Sequence, residues 1–277
     1  MSDVIFGEAG SKARTYIPVR HPAHVALLYL ALDLVEEILA KLAQQPHDKR
    51  GVLAAALFVR MREFARAAST LLLYGQQNAA SVQLRAVFEV LVYLKNCCER
   101  PEFEADFSRA TWRNLRKLAQ VGVDNPGRFL SEAEREKWTE RKRQADGEMD
   151  SSEAPLLSLE ALARKVGLEA WYAYFYRMSS QHTHSTFLSL VLRHLEFGAE
   201  GSMVIDARPK DTEFRMLSGT LAEHIIMATE SLQSLYDLEV SQKLDELRQQ
   251  HQQLTVKDIA DMKASTMAAA GEAGSST

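Results

Sequence analysis

The chain has 277 residues, of which 46% are hydrophobic and 25% charged, and its formal net charge is −4. This composition is typical of a soluble globular protein, and the negative balance excludes a global basic field that would attract nucleic acid or an anionic membrane. The longest apolar runs, at 25–32 and 51–59, are too short to span a bilayer. The only two cysteines, Cys97 and Cys98, are adjacent. So low a cysteine content is typical of a reducing compartment, and we expect a cytoplasmic protein with no membrane partner.

The scarcity of turn-forming residues, with 13 glycines and 7 prolines, favours long helices over strands and turns. Apolar residues recur at helical spacing over 24–43, 52–74 and 79–98, and again over 211–250. These patterns predict an all-α protein, a multi-helix bundle with long antiparallel helices. Strand-like composition occurs only around 198–209, where we expect at most a small β-hairpin.

Three parts of the chain are predicted from these patterns. Residues 1–20 form an irregular N-terminal arm, residues 21–250 a single helical domain, and residues 251–277 a flexible C-terminal tail. Within the domain, residues 122–157 form an exposed polar insertion. Its polar run begins with Ser131 and has Glu134 three residues later, which predicts a helix over 131–144 that opens with a capping box.

Arg85 and Glu89 interrupt the apolar run 79–94, four residues apart, so they share one face of a helix. A helix that is apolar on all sides lies inside a protein, and it would carry these two charges inward together. Buried charges are costly unless they are paired and hydrogen-bonded. Two interpretations remain open, a structural ion pair between helices and the polar floor of a site.

A second polar interruption lies within 168–197, where both ends are apolar at helical spacing and the middle, 179–186, is polar. The helix either breaks there or lines a polar site. On a continuous helix Arg177, Ser180 and His184 fall on one stripe, and His182 lies about 140° away. An arginine and a histidine on one stripe suit phosphodiester chemistry, because histidine moves protons near neutral pH and arginine stabilises phosphate charge.

This spacing resembles the motif of the HEPN ribonucleases, an arginine followed after four to six residues by a histidine. Here it occurs as Arg177-x4-His182 or as Arg177-x6-His184. The resemblance implies a helical bundle, often dimeric, whose active-site motifs meet across the dimer, as in toxins and phage-defence systems. It also implies a metal-independent ribonuclease with an RNA substrate.

A wider set of positions resembles an uncharacterised bacterial helical group, the domain of unknown function 5677. That group carries Arg-x3-Glu on one helix and Ser-x3-His on another. The resemblance implies an all-helical fold and a polar cluster of Arg85, Glu89, Ser180 and His184, and it supplies no activity. The matching positions are Leu72-x-Tyr74-Gly75, Ala79, Leu84-Arg85, Glu89, Tyr176, Ser180 and His184-Ser185.

Other enzyme classes lack their signatures. No histidine stands three residues after a glutamate, as a ferritin-like di-iron bundle requires, and no G-x-S-x-G elbow of a serine hydrolase occurs. We expect no cofactor and no metal. Two hypotheses stay open: a HEPN-like ribonuclease, and a non-catalytic interaction or scaffold protein, homo-oligomeric or with a partner protein, whose polar cluster is structural. The candidate catalytic residues are Arg177, His184, His182, Glu89, Arg85 and Ser180.

Overall fold

The fold is seen in a computed structural model, which describes residues 16–45, 48–124, 131–148, 157–183, 195–197, 203–205 and 210–274. Helices account for most of these residues, which confirms the predicted all-α multi-helix bundle. In this part of the chain, no helix is both long enough and apolar enough to cross a membrane.

Ten α-helices and two strands are labelled here in chain order, with one π-helical turn between α7 and α8. Their bounds are α1 Pro22–Leu42, α2 Lys49–Leu73, α3 Gln77–Glu99, α4 Phe103–Asp124, α5 Glu132–Glu148, α6 Leu159–Lys165, α7 Glu169–Trp171, the π-helical turn Tyr172–Tyr176, α8 Arg177–Thr183, β1 Leu195–Phe197, β2 Met203–Ile205, α9 Asp211–Gln233 and α10 Ser241–Gly274.

The hydrophobic core forms around α3, which packs against α2 and α9. Leu84, Phe88 and Leu91 on α3 are fully buried, as expected for a helix with apolar residues on most of its faces. Helix α1 packs on α2 and α9, and α10 packs on α1 and α9. Helix α6, the π-helical turn and α8 also contact α3, so the segment 157–183 lies against the helix that carries Arg85 and Glu89.

Helices α4 and α5 pack against each other as a hairpin. The side chain of Trp138 lies over Gly122, and Arg116 Nε is 2.7 Å from a carboxylate oxygen of Asp146. The predicted capping box at the start of α5 is confirmed. The Ser131 backbone N–H donates to Glu134 Oε2 over 2.8 Å, and the Glu134 backbone N–H donates to Ser131 Oγ over 3.4 Å.

The small β-hairpin also forms, but its first strand begins earlier than predicted. Strands β1 and β2 are antiparallel, and Leu195 is paired with Ile205. The expectation of helical structure up to Phe197 was therefore wrong, because residues 195–197 form a strand.

The C-terminal region differs from the prediction in two respects. The single helix predicted over 211–250 is two helices, α9 and α10, joined by a link in which Tyr236, Leu238 and Val240 are buried. The link turns at Glu239, whose φ of 46° lies in the left-handed region. Helix α10 continues to Gly274, through residues for which the sequence predicts a flexible tail.

The N-terminal arm also differs in the part that the structure describes. Residues 16–20 are helical, and Ile17 is fully buried, so the arm is not irregular there.

His224 on α9 is a fully buried polar residue. Its ring centroid lies 5.6 Å from that of Phe88, 5.1 Å from Trp171 and 5.3 Å from Phe175. Neither ring nitrogen has a hydrogen-bond partner among the described residues. Burial in this aromatic cage disfavours the charged imidazolium and lowers the pKa of His224 to about 3.

Replacing His224 with methionine should make the protein less sensitive to mild acid. The unfolded chain protonates this histidine near its ordinary pKa of 6.5, whereas the folded protein keeps it neutral until a far lower pH. The full stability is therefore present above the unfolded-state pKa of 6.5. Below it, this histidine lowers the free energy of unfolding as the pH falls, by about 2 kcal/mol between pH 7 and pH 5. Urea titrations at pH 8 and pH 5 measure the free energy of unfolding of wild type and His224→Met. If both proteins lose the same free energy of unfolding between the two pH values, the prediction is contradicted.

Candidate functional site

Arg85 and Glu89 form an ion pair on α3, with Arg85 Nε 3.4 Å from Glu89 Oε1. Their side chains are 23% and 37% exposed, so the expectation that both charges are largely buried was wrong. Their neighbours Leu84 and Phe88 are fully buried, whereas the long polar arms reach from the same helix toward solvent. The pair therefore lies at the edge of the core, partly exposed to solvent.

The side chain of Tyr176 joins the two charges. Its hydroxyl accepts a hydrogen bond from Arg85 Nη2 over 2.7 Å and donates one to Glu89 Oε1 over 2.9 Å. The Arg85 guanidinium carbon also lies 4.5 Å from the centre of the Tyr176 ring. Desolvation, which outweighs the opposing hydrogen bond from Arg85, raises the pKa of Tyr176, so its phenol stays a proton donor at neutral pH. We call Arg85, Glu89 and Tyr176 the polar triad.

A second tyrosine extends the polar triad along the π-helical turn. The rings of Tyr172 and Tyr176 are stacked, with centroids 5.0 Å apart and planes 17° from parallel. The Arg177 guanidinium carbon lies 5.6 Å from the centre of the Tyr172 ring. Two stacked tyrosine rings therefore link Arg85 to Arg177, and we call these four side chains the tyrosine stack.

The π-helical turn and the helix after it place the remaining predicted residues. The backbone N–H of Arg177 donates to Tyr172 O, one residue further back than in an α-helix. The Arg177 side chain is 61% exposed and is 3.6 Å from Glu160 on α6, and among the described residues its contact with the Tyr172 ring links it to the polar triad. Ser180 is partly exposed and lies in α8, which continues directly from the π-helical turn, four residues after Tyr176. His182 lies in α8, and His184 lies outside the described residues.

The sequence analysis therefore named Arg85 and Glu89 as site residues, whereas Tyr176 appeared there only among the positions of the family resemblance. Tyr176 stands in an aromatic run, AWYAYFY, where a tyrosine at helical spacing usually belongs to the core. The available signal was its position four residues before Ser180, which puts both side chains on one helix face.

The two cysteines are unsuited to nucleophilic chemistry. Both are buried free thiols, and desolvation raises the pKa of Cys97 to about 11 and that of Cys98 to about 12. Arg50 on α2 donates hydrogen bonds to the backbone carbonyls of both residues, over 2.7 Å in the case of Cys97. Because the last carbonyls of a helix lack partners within it, this contact stabilises the C-terminal end of α3.

Replacing Glu89 with alanine should cost less than about 1 kcal/mol of unfolding free energy, because the pair is half-exposed and solvent screens the charge that remains. A fully buried pair would cost about 3 kcal/mol or more. Thermal unfolding of Glu89→Ala beside Glu63→Ala, which breaks the exposed pair with Arg60, makes the comparison. A much larger loss in Glu89→Ala than in Glu63→Ala would mean that the triad is sealed from solvent.

Comparison with known proteins gives a family and no function. No curated protein and no solved structure matches the chain. A family model described as "Family of unknown function (DUF5677)" matches residues 51–202, more than half of the chain. The matched range contains the whole polar triad as well as Arg177, Ser180 and His184. The chain therefore belongs to the DUF5677 family.

Proposed function

We propose that the protein is a metal-independent ribonuclease whose substrate binds at the polar triad. The observation that carries this proposal is the half-exposed tyrosine stack, two stacked aromatic rings with an arginine at each end. Single-stranded RNA is held by proteins through base stacking on aromatic rings and through arginines that contact phosphate. The two arginines at its ends can contact phosphate, and Tyr172 offers its outer face to a base when the exposed Arg177 side chain moves off the ring to bind phosphate.

The roles follow from the chemistry of each group. Arg85 binds the scissile phosphate and stabilises the charge that develops on its oxygens, while Glu89 and the Tyr176 hydroxyl hold the guanidinium in place. Arg177, at the far end of the stack, contacts a neighbouring phosphate. His184, or His182, takes the proton of the ribose 2′-hydroxyl as that oxygen attacks phosphorus; the bond between phosphorus and the 5′-oxygen breaks, and the leaving 5′-oxygen takes up a proton from water. No step in this scheme needs a metal ion.

The assembly and the setting are part of the same proposal. The resemblance of the Arg177 segment to the HEPN motif favours a homodimer in which two such segments meet. It also favours a cytoplasmic toxin or phage-defence component, for which expression of the active protein would slow cell growth.

The test is cleavage of single-stranded RNA by the purified full-length protein in the presence of EDTA. Wild type is expected to cleave, and His184→Ala to be inactive while its helicity and melting temperature stay near those of wild type. His182→Ala is the matched comparison and should lose much less activity. Chelator-sensitive cleavage would contradict the mechanism, and loss of stability together with activity in His184→Ala would indicate a structural histidine.

A non-catalytic interaction protein is the second candidate. The observation that favours it is a set of exposed apolar side chains along α10: Val256, Ile259, Met262 and Met267. Exposed apolar surface of this kind is typical of a contact with another protein. RNA left intact by the purified protein, together with a dimer in light scattering that Ile259→Lys dissociates, would favour this candidate.

A further inference from the structure

A cavity of about 600 Å³ lies between α1, α9 and α10, away from the polar triad. Its size is within the range of pockets that hold small organic ligands. Trp171 and Tyr174, which come from the segment that also carries Tyr172 and Tyr176, form part of its wall. No residue of the triad lines it.

Carboxylates outnumber fixed positive charges around this cavity. Asp258 Oδ2 is 3.0 Å from His24 Nε2, and Asp258 Oδ1 is 3.0 Å from Arg215 Nη1. Arg215 is also 3.2 Å from Asp261, so two aspartates face one guanidinium. A second pair of side chains from α9 and α10, Glu223 and His251, also lines the cavity.

The Glu223–His251 pair adds a second carboxylate to the cavity lining. Glu223 Oε2 lies 3.2 Å from His251 Nδ1. The lining contains two carboxylates, Asp258 and Glu223, and one arginine, Arg215, so its fixed charges leave a net negative charge, and Asp261 adds another beside Arg215. A positively charged group is the ligand group that this surrounding stabilises.

The rest of the wall is apolar and aromatic. Leu27, Met216, Leu254 and Ile259 line the cavity together with Trp171. Aromatic faces attract cations, and an apolar wall stabilises an apolar body through burial. The volume is also far larger than a metal ion needs.

We propose that this cavity is a binding site for a small organic cation, an amine with an apolar or aromatic body. Its ammonium group forms a charge-assisted hydrogen bond with the Glu223 carboxylate, and the Asp258 carboxylate adds negative charge to the same wall. Its apolar body packs against Trp171 and Met216. Occupation of the site ties α10 to α1 and α9, so the bound amine stabilises the fold.

The probes are two amines, phenethylamine and tryptamine. Phenethylamine is compared with the neutral phenethyl alcohol and the anionic hydrocinnamate, and tryptamine with the neutral tryptophol and the anionic indolepropionate. Calorimetric titration of the full-length protein is expected to show saturable binding of at least one amine, about tenfold or more tighter than its two analogues. The same amine is expected to raise the melting temperature. Absence of amine binding at millimolar concentration, or equal binding of the alcohols, overturns the proposal.

Three variants locate the site. Asp258→Asn and Glu223→Gln should each weaken amine binding by about tenfold, since each removes one negative charge from the cavity wall. Gly219→Leu should abolish binding, because a Cβ at this wall position already lies 3.5 Å from His251 Nε2 and a longer side chain would fill the space. Asp245→Asn is the matched control, an exposed carboxylate on the same helix that is paired with Arg248.

The two carboxylate variants keep the test decisive if one of them fails to fold. Glu223 is one-third exposed and pairs only with His251 among the described contacts, so Glu223→Gln is the milder change. Amine affinity that is unchanged in a folded Glu223→Gln and in Gly219→Leu would place the amine elsewhere and overturn the proposal.

Discussion

Replacing Arg85 with glutamine is expected to slow RNA cleavage by roughly 100- to 1,000-fold, the usual effect of removing one preorganised group that stabilises transition-state charge. Glutamine keeps much of the length and polarity of the side chain but carries no charge for phosphate. Because the Arg85 side chain is partly exposed, we expect the accompanying change in unfolding free energy to be about 1 kcal/mol. The cleavage rate of the purified variant in EDTA, together with its thermal unfolding, measures both effects.

The matched control for this substitution is Arg66→Gln. Arg66 is an exposed arginine on α2 that is 3.5 Å from Glu36, so its replacement removes the same charge far from the tyrosine stack. Cleavage by Arg66→Gln should stay close to wild type. If both variants lose activity equally, general charge attraction and not a specific contact at Arg85 would explain the loss.

The second large effect concerns stability, since replacing Phe88 with alanine should cost about 4 kcal/mol of unfolding free energy. Phe88 is fully buried on α3, and its ring contacts Phe175 and Tyr176 as well as His224 on α9. Its removal leaves a cavity at the point where three segments meet. Chemical denaturation of Phe88→Ala measures the loss.

Val82→Ala, on the same helix but at an exposed position, provides the comparison for Phe88→Ala. That variant is expected to change the unfolding free energy by less than about 1 kcal/mol. A loss of similar size in the two variants would contradict the central position of Phe88 in the core.

Sequence patterns predicted the helices well because helical spacing of apolar residues is a local property. The run that contains Arg85 and Glu89 is the clearest case, since two charges in an apolar helix indicate a polar cluster without any tertiary information. The degree of burial could not be derived in this way. It depends on how much of that helix face α6, the π-helical turn and α8 cover, and the local pattern does not carry this information.

The features that the sequence analysis did not predict depend on contacts between distant segments. The π-helical turn shifts the hydrogen-bond pattern by one residue, and no residue type specifies it, so the stacking of Tyr172 on Tyr176 could not be anticipated. The break between α9 and α10 contains neither glycine nor proline, and buried side chains such as Leu238 hold it in place. His224 reads as polar in the sequence, yet the rings around it make it part of the core.

The most direct test of the proposed function is the rate of RNA cleavage by Tyr176→Phe in EDTA, measured beside wild type. This change removes only the hydroxyl that joins Arg85 to Glu89 and leaves the stacked ring in place. Tyr29→Phe, at an exposed tyrosine of α1, is the control. The account predicts about a tenfold or greater loss in Tyr176→Phe and none in Tyr29→Phe. Equal rates in all three proteins, or intact RNA with wild type, would contradict it.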